Sequence, residues 1–516
     1  MSVTKENLQL LKQVHELKNV RIAEISKKMG KSASAIRKSV HALNNHLPEK
    51  HRISISNGIL ISEMSYKEYT SFIASIKRED YLEGRFERLD LIITQSFLSG
   101  HANLSQSYSD LFLSLTTKKN DTKLLRSFLS QSSLQIKVLK RKGITIIGDE
   151  LRFRMMVLGI VLPLIELDQN YNVNPRKANN PIENNIAEKY IEKYKLVKEE
   201  CSELVENFLT EYQQYLNYLS RKLLVIYVSF IIIRREKHTI KENLELSVYP
   251  LNLFFINNRG ENIAFNQVMT MLDFYPNIDL PINNKLLSTT KEFVNSIQKD
   301  IITKIQTYDK LVNELYNFFY KQLSAHDLNC VIPDKLDKSL LQLENLSFHK
   351  TEKHIHIVED TVGFSFTFDQ RLTIAMIIRK WVSMNKVRGR NIKNIVFVTN
   401  ISNERIEYFM EMLGQYVEVK LVASLSSSEV RYLENYEFDD ILVISSRNEE
   451  IVKSHGFQVT KINFFINQED INRLFDYGYS SSKRRLIAQE LAAKIKNLTE
   501  SEIIACLKKD YPDYFI

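Results

Sequence analysis

The rhythm of apolar residues changes once along the chain, near Asn391, and that change limits what each part can fold into. Before it, apolar residues recur at helical spacing over most of the length, which predicts a mainly α body. After it, short β-runs alternate with helical stretches. Ile395–Val398, Val417–Val422, Ile441–Ser445 and Val459–Ile466 read as strands. Ser402–Leu413, Ser427–Asn435, Gln468–Phe475 and Ser482–Ile495 read as helices. Strands separated by such helices predict a small parallel α/β sheet. Only 13 Gly and 9 Pro in 516 residues leave few chain breakers and exclude collagen-like or Pro-rich architectures. The longest apolar runs, Met155–Ile165 and Leu223–Ile233, stop at 11 residues beside charged groups. A bilayer span needs roughly 20, so both are predicted as buried helices and no membrane partner is expected.

Charge is distributed unevenly. Residues 1–156 hold 26 Lys/Arg against 15 Asp/Glu, a balance of +11, and the remaining 360 hold 44 against 47, a balance of −3. All the positive excess of this +8 chain therefore lies in its first third. That asymmetry predicts a polyanion-binding head on a near-neutral body.

Two units in the head have the pattern of a winged helix-turn-helix. After a helix over about 5–17, a short helix from about Arg21 to Lys28 leads to a turn at Met29-Gly30-Lys31 and a second helix capped by Ser32. Ile36, Val40, Leu43 and Leu47 make its buried stripe, leaving Ser34, Arg37, Lys38 and His41 outward, a face suited to the DNA major groove. Ile53–Ile61 alternates around Asn57-Gly58 and predicts a hairpin wing. In the second unit, helices over Phe86–Leu98 and Leu104–Leu111 precede a recognition helix over Thr116–Leu129. Thr116, Thr117, Lys119, Asn120, Lys123 and Arg126 face outward on it, while Lys118 and Thr122 occupy positions where such a helix normally buries apolar groups. A hairpin of Leu134–Leu139 and Ile144–Ile147 follows, with Lys140, Arg141 and Lys142 at its tip, placed for phosphate contacts.

The rest of the chain offers less chemistry. Asn170–Asn185, rich in Asn and Pro, reads as a linker, and Pro281 marks a border between two helical blocks. Cys201, Cys330 and Cys506 lie far apart without metal-ligand spacing, so buried thiols in a reducing cytoplasm are expected. The N-terminal residues are charged and periodic, without the apolar core of a signal peptide. His354 and His356 alternate as on a strand, and solvated or partly buried rings are expected there, with no metal and no cofactor. The turn Thr399-Asn400-Ile401-Ser402 has neither the glycines of a phosphate cradle nor a Cys or Asp to accept a phosphoryl group, so no enzyme activity is expected.

This order of parts resembles the Mga/AtxA group of transcriptional regulators. Members carry two helix-turn-helix units, two degenerate phosphotransferase-system regulation domains (PRDs) and a C-terminal domain similar to a sugar-phosphotransferase IIB subunit. The stretch from Lys142 through Gly148-Asp149-Glu150 to Arg152 and Arg154 resembles the group's wing-and-exit motif, and Asp121 fits its polar recognition-helix position. The resemblance implies units at 1–65 and 66–165, PRD-like blocks at 182–282 and 283–390, a IIB-like domain at 391–498 and a tail at 499–516. In active PRDs a His followed seven residues later by Arg carries the phosphoryl acceptor; here those places hold Tyr227 and Arg234, then Glu314 and Lys321. The expected phosphohistidines are absent, which leaves His238, His326, His349, His354 and His356 as other acceptors. The resemblance further implies an activator that binds double-stranded promoter DNA, pairs as a homodimer through its C-terminal domain and meets phosphocarrier proteins of the phosphotransferase system. Two other classes fit parts of the pattern: a phosphocarrier of that system, and a PRD-type RNA-binding antiterminator.

Overall fold

The computed structural model describes residues 2–505, apart from 112, 236–237, 239, 241–245, 276–277, 301–307, 331–345, 385–391, 478, 480–481, 483–498 and 500. The chain is mainly helical, with a small parallel sheet in its C-terminal region. The predicted Ser482–Ile495 helix, apart from Ser482 itself, and Cys506 fall outside the described residues.

The N-terminal segment runs β1 (Val3–Thr4), α1 (Lys5–Leu17), β2 (Asn19–Arg21), α2 (Ile22–Met29), α3 (Ala33–Asn44), β3 (Ser54–Ser56) and β4 (Ile59–Ile61). The Ser32 hydroxyl accepts the Ala35 amide and starts α3. Asn57 and Gly58 both have positive φ, 49° and 77°, so the β3–β4 hairpin closes through a two-residue turn whose twist matches its strands. Strand β2, which apolar spacing does not reveal, pairs antiparallel with β4.

The next segment holds α4 (Tyr66–Ser75), β5 (Tyr81–Leu82), α5 (Arg85–Ser99), α6 (Leu104–Asp110), α7 (Leu115–Ser130), β6 (Leu134–Leu139), β7 (Gly143–Gly148) and α8 (Glu150–Val161). The β6–β7 hairpin is seated by reciprocal backbone bonds between Ala102 and Ile144 at 2.7 and 2.9 Å. Gly143 makes this possible: its φ is +102°, and a Cβ there would lie 2.2 Å from the Ala102 carbonyl oxygen. Gly143→Ala is expected to cost about 1–3 kcal/mol in backbone strain alone. Faster hydrogen exchange at the Ala102 and Ile144 amides is the readout; unchanged protection would show that the hairpin is seated otherwise.

The stretch expected to be a linker is folded. β8 (Ile165–Leu167) and β9 (Val173–Pro175) form a hairpin, and buried Asn180 caps α9 (Pro181–Lys195). Asn and Pro serve here as turn and cap residues, and Asn179 donates to the Leu164 carbonyl at 2.7 Å. Then come α10 (Lys198–Glu211), β10 (Tyr215–Leu216), α11 (Tyr218–Arg234), α12 (Arg259–Met269) and β11 (Phe274–Tyr275). The two long apolar runs form α8 and α11, both buried as expected. One continuous core joins this block to everything N-terminal of it. At its centre Phe97 meets Phe153 and Phe230 edge-on, at 5.1 and 4.6 Å between ring centres. Each such fully buried ring stabilises the fold by roughly 1.5–3 kcal/mol.

A second core lies among α13 (Asn284–Asp300), α14 (Tyr308–Asp327), α16 (His356–Val362) and α17 (Phe368–Met384), while Phe348 of α15 (Leu346–His354) packs into the core of the C-terminal sheet. His354 and His356 are helical, so their alternation does not place them on a strand.

The C-terminal sheet has the order β13-β12-β14-β15, all parallel. It comprises β12 (Lys393–Val398), α18 (Asn403–Leu413), β13 (Val419–Leu425), β14 (Asp440–Val443), α19 (Ser446–Ser454), β15 (Thr460–Lys461) and α20 (Gln468–Asp476). Central strand β12 is buried on both faces, which explains its unbroken apolar run. Ile395 and Phe397 face α18, while Val396 and Val398 face Leu433 and Val452. The last predicted strand, Val459–Ile466, shrinks to two residues, and α19 was not evident from spacing. Arg447 of α19 grips Glu166 with two bonds of 2.9 and 2.8 Å and so ties this domain to β8.

Candidate nucleic-acid interface

On α3 and just past its end the inward stripe is as spacing predicts: Ile36, Val40, Leu43 and, beyond the helix, Leu47 are buried. Ser34, Arg37, Lys38 and His41 are all exposed on the other face. Among the described residues, neither Arg37 nor Lys38 makes an ion pair.

Helix α7 is held by a different device. Its buried positions are Asp121, Leu125 and Leu129. Asp121, 1% exposed, accepts two bonds from the Arg88 guanidinium at 2.7 and 3.1 Å and one from the Tyr108 hydroxyl at 2.9 Å. Burial alone would lower Arg88, but the bonded Asp121 carboxylate more than offsets it and holds the guanidinium above its ordinary pKa. A carboxylate that sequence reading placed at a recognition position thus locks α5, α6 and α7 together. Lys118 and Thr122 are half-buried without being apolar because each is satisfied: Lys118 donates to Ser105 at 2.7 Å, and Thr122 to its own helix backbone.

The outward side of α7 exposes Thr116, Lys119, Asn120, Lys123 and Arg126. Thr117 is the exception. It is half-buried and bonds the capping Ser114 through both its amide and its hydroxyl, so it starts the helix. Leu115, 75% exposed at the first position of α7 beside these cations, carries no signal that apolar spacing could have flagged. At the β6–β7 tip Lys140, Arg141 and Lys142 are all exposed, with Arg141 at a φ of 66°. Lys119, Lys123, Arg126 and the three tip residues make no ion pairs among the described residues.

No protein-family model matches the chain, and no curated protein matches it. The site is therefore defined by its own geometry.

Of the four positions that the resemblance pairs with regulatory residues, Tyr227 and Arg234 are buried and Glu314 and Lys321 half-buried. Tyr227 is fully buried on α11 beside Arg154 and Glu261, and burial pushes its phenol well above the ordinary range. Arg234 reaches into the N-terminal segment, where it bonds both oxygens of Glu150 at 2.6 and 2.7 Å and the Phe97 carbonyl at 2.8 Å, stacked over the Phe97 ring. Arg154, 0% exposed, bonds Glu150 at 2.9 Å and both oxygens of Glu261 at 2.6 and 2.9 Å. Sequence reading singled out Arg154 and Glu150 only within the wing-and-exit stretch. Their partners lie 107 and 84 residues away. Glu314 and Lys321 both line a cavity on α14.

Of the remaining histidines, His326 stacks on Phe364 at 4.2 Å and His349 is exposed. Among the described residues no three His, Cys, Asp or Glu side chains group as metal ligands would. Cys201 and Cys330 are buried free thiols, each pushed up to about 12 by burial. No described helix is long and apolar enough to cross a membrane.

Proposed function

We propose that this chain is a DNA-binding transcription regulator, an activator by its resemblance to the Mga/AtxA group. Its two winged helix-turn-helix units seat α3 and α7 in the major groove of promoter DNA. The hairpin tip at Lys140, Arg141 and Lys142 grips the backbone. One observation carries the reading: the outward cations of α3, α7 and the tip are exposed and make no ion pairs among the described residues, while the same helices bury their other faces completely enough to be rigid presenters. The helical blocks act as PRD-like modules that meet phosphocarrier proteins, and the parallel domain pairs two chains. Pairing multiplies weak half-site contacts through effective concentration.

The test is equilibrium binding of the intact chain to duplex DNA fragments and to RNA hairpins across a salt series. Tight, salt-dependent duplex binding is expected, with RNA weaker. Arg141→Ala combined with Lys142→Ala should weaken all duplexes alike and flatten the slope of log affinity against log salt by about 1.8, since each released phosphate contact contributes roughly 0.9. An unchanged slope removes the tip from the contacts. Absence of duplex binding at low ionic strength overturns the reading, and preference for RNA replaces it with the antiterminator.

A further inference from the structure

A cavity of about 700 Å³ opens where the first helical block, α14 and α17 of the second, and α18 with β13 of the parallel domain converge. Small-molecule sites fall in this size range. One side is apolar, formed by Leu251, Met269, Leu272, Phe274, Ile278 and Leu280.

The other side is charged and unbalanced. The Lys321 ammonium lies 2.5 Å from Asp273 and 3.8 Å from Glu404. The Lys380 ammonium bonds both oxygens of Glu314 at 2.7 Å and also reaches Glu407, while the Trp381 indole donates to Glu314 at 2.6 Å. Two ammonium groups therefore serve four carboxylates. Among the described residues, the other charged lining groups are Glu411 on α18 and two lysines, Lys310 and Lys420, both solvent-exposed. Charges facing water are screened and do little for a buried wall, and by the same measure Glu407, 55% exposed, weighs less than Asp273, Glu314 and Glu404, which still outnumber the two ammonium groups. Desolvation bears on the same wall: burial, and after it the neighbouring Asp273, push Glu404 up to about 7, and burial raises Glu314 in spite of Lys380.

We propose that this cavity binds an organic cation, a protonated amine carried on a compact apolar body. The amine supplies the missing positive charge between Glu404, Glu407 and Glu314, and the body covers the Leu251–Leu280 side. A carboxylate or phosphate ligand would add negative charge where there is already too much. Because three parts of the chain form the walls, occupancy fixes their relative placement and stabilises the assembled form by mass action. The inference does not depend on what the N-terminal units bind.

Calorimetric titration of the full chain with 2-phenylethylamine, its neutral counterpart 2-phenylethanol and the anion 3-phenylpropanoate tests it, with n-hexylamine and 1,5-diaminopentane as further amines. The amines should bind at least about tenfold more tightly than the alcohol, as expected for charge-assisted bonds in a partly desolvated site. The anion should not bind. Amine affinity should rise from pH 6 to pH 8 as Glu404 ionises while the ligand stays protonated. Glu407→Gln, at a side chain 55% exposed and so tolerant of change, and Glu404→Gln should each weaken the amines several-fold and leave the alcohol unaffected. Equal binding of amine and alcohol, preference for the anion, unchanged affinity in both variants, or no binding of any of the three amines at concentrations on the order of millimolar overturns the proposal.

Discussion

Arg154→Ala is expected to lower the stability of the N-terminal core by about 3–5 kcal/mol, the usual cost of removing one partner from a buried ion pair. Arg154 is wholly buried and bonds Glu150 and Glu261 together. Its removal leaves the Glu261 carboxylate, 5% exposed, without its guanidinium, while Glu150 keeps Arg234. The loss should appear as a lower urea midpoint and as faster hydrogen exchange in both α8 and α12, the helices this arginine joins. Removing both charges, with Arg154→Met and Glu261→Leu together, should recover much of the loss, because two well-packed apolar side chains need no partner. An Arg154→Ala midpoint within about 1 kcal/mol of the parent would show that water reaches Glu261 and that the network is dispensable.

The same network gives a pH dependence of definite sign. Burial alone would raise Glu150, but Arg234 and then Arg154 more than offset it and hold its carboxyl below the ordinary 4.5. A folded pKa below the unfolded one means the contribution is complete above about pH 4.5 and is lost as pH falls through the folded value. Acid should therefore loosen the contact between α8 and α11 from that side.

Asp121→Ala should be the most damaging change in the second unit, again by about 3–5 kcal/mol. It strands the Arg88 guanidinium, leaving it, among the described residues, the Glu83 carbonyl at 3.2 Å, and takes the acceptor from the Tyr108 hydroxyl. Helix α7 then loses its buried polar anchor to α5 and α6, keeping only the exposed Lys118–Ser105 bond among those described, and should exchange its amide hydrogens much faster. On the reading proposed above, duplex DNA affinity falls by more than about tenfold through loss of preorganisation, although Asp121 itself is buried. The salt slope should stay as it was, since no phosphate contact has been removed. That separates the variant from the paired change at the hairpin tip, which should move the slope and leave α7 protected. Parent-like exchange in α7 would mean that Leu125 and Leu129 hold the helix without the ion pair.

Much of the outer face of the site was legible because it depends on local period. The stripe Ile36, Val40, Leu43 and Leu47 fixes which side of α3 is inward, so Arg37 and Lys38 had to be outward. Thr117 was misplaced because a residue three positions after a capping Ser serves the cap, and its outward-looking spacing gave no sign of that. The Asn- and Pro-rich stretch was taken for a linker because turn and cap chemistry uses the same residues as disordered chain.

By itself, the sequence determined that most of the chain is helical, where the Asn57-Gly58 hairpin turns, that the last part is a parallel sheet, and where positive charge accumulates. These follow from apolar spacing, turn residues and charge, which act within a few positions of one another. Tertiary structure alone decided that Asp121 is a lock, that Arg154 and Arg234 join the head to the helical block, and that four carboxylates share two lysines around one cavity. Each of those depends on groups tens to more than a hundred residues apart, brought together only when the cores pack, and no local pattern encodes the meeting.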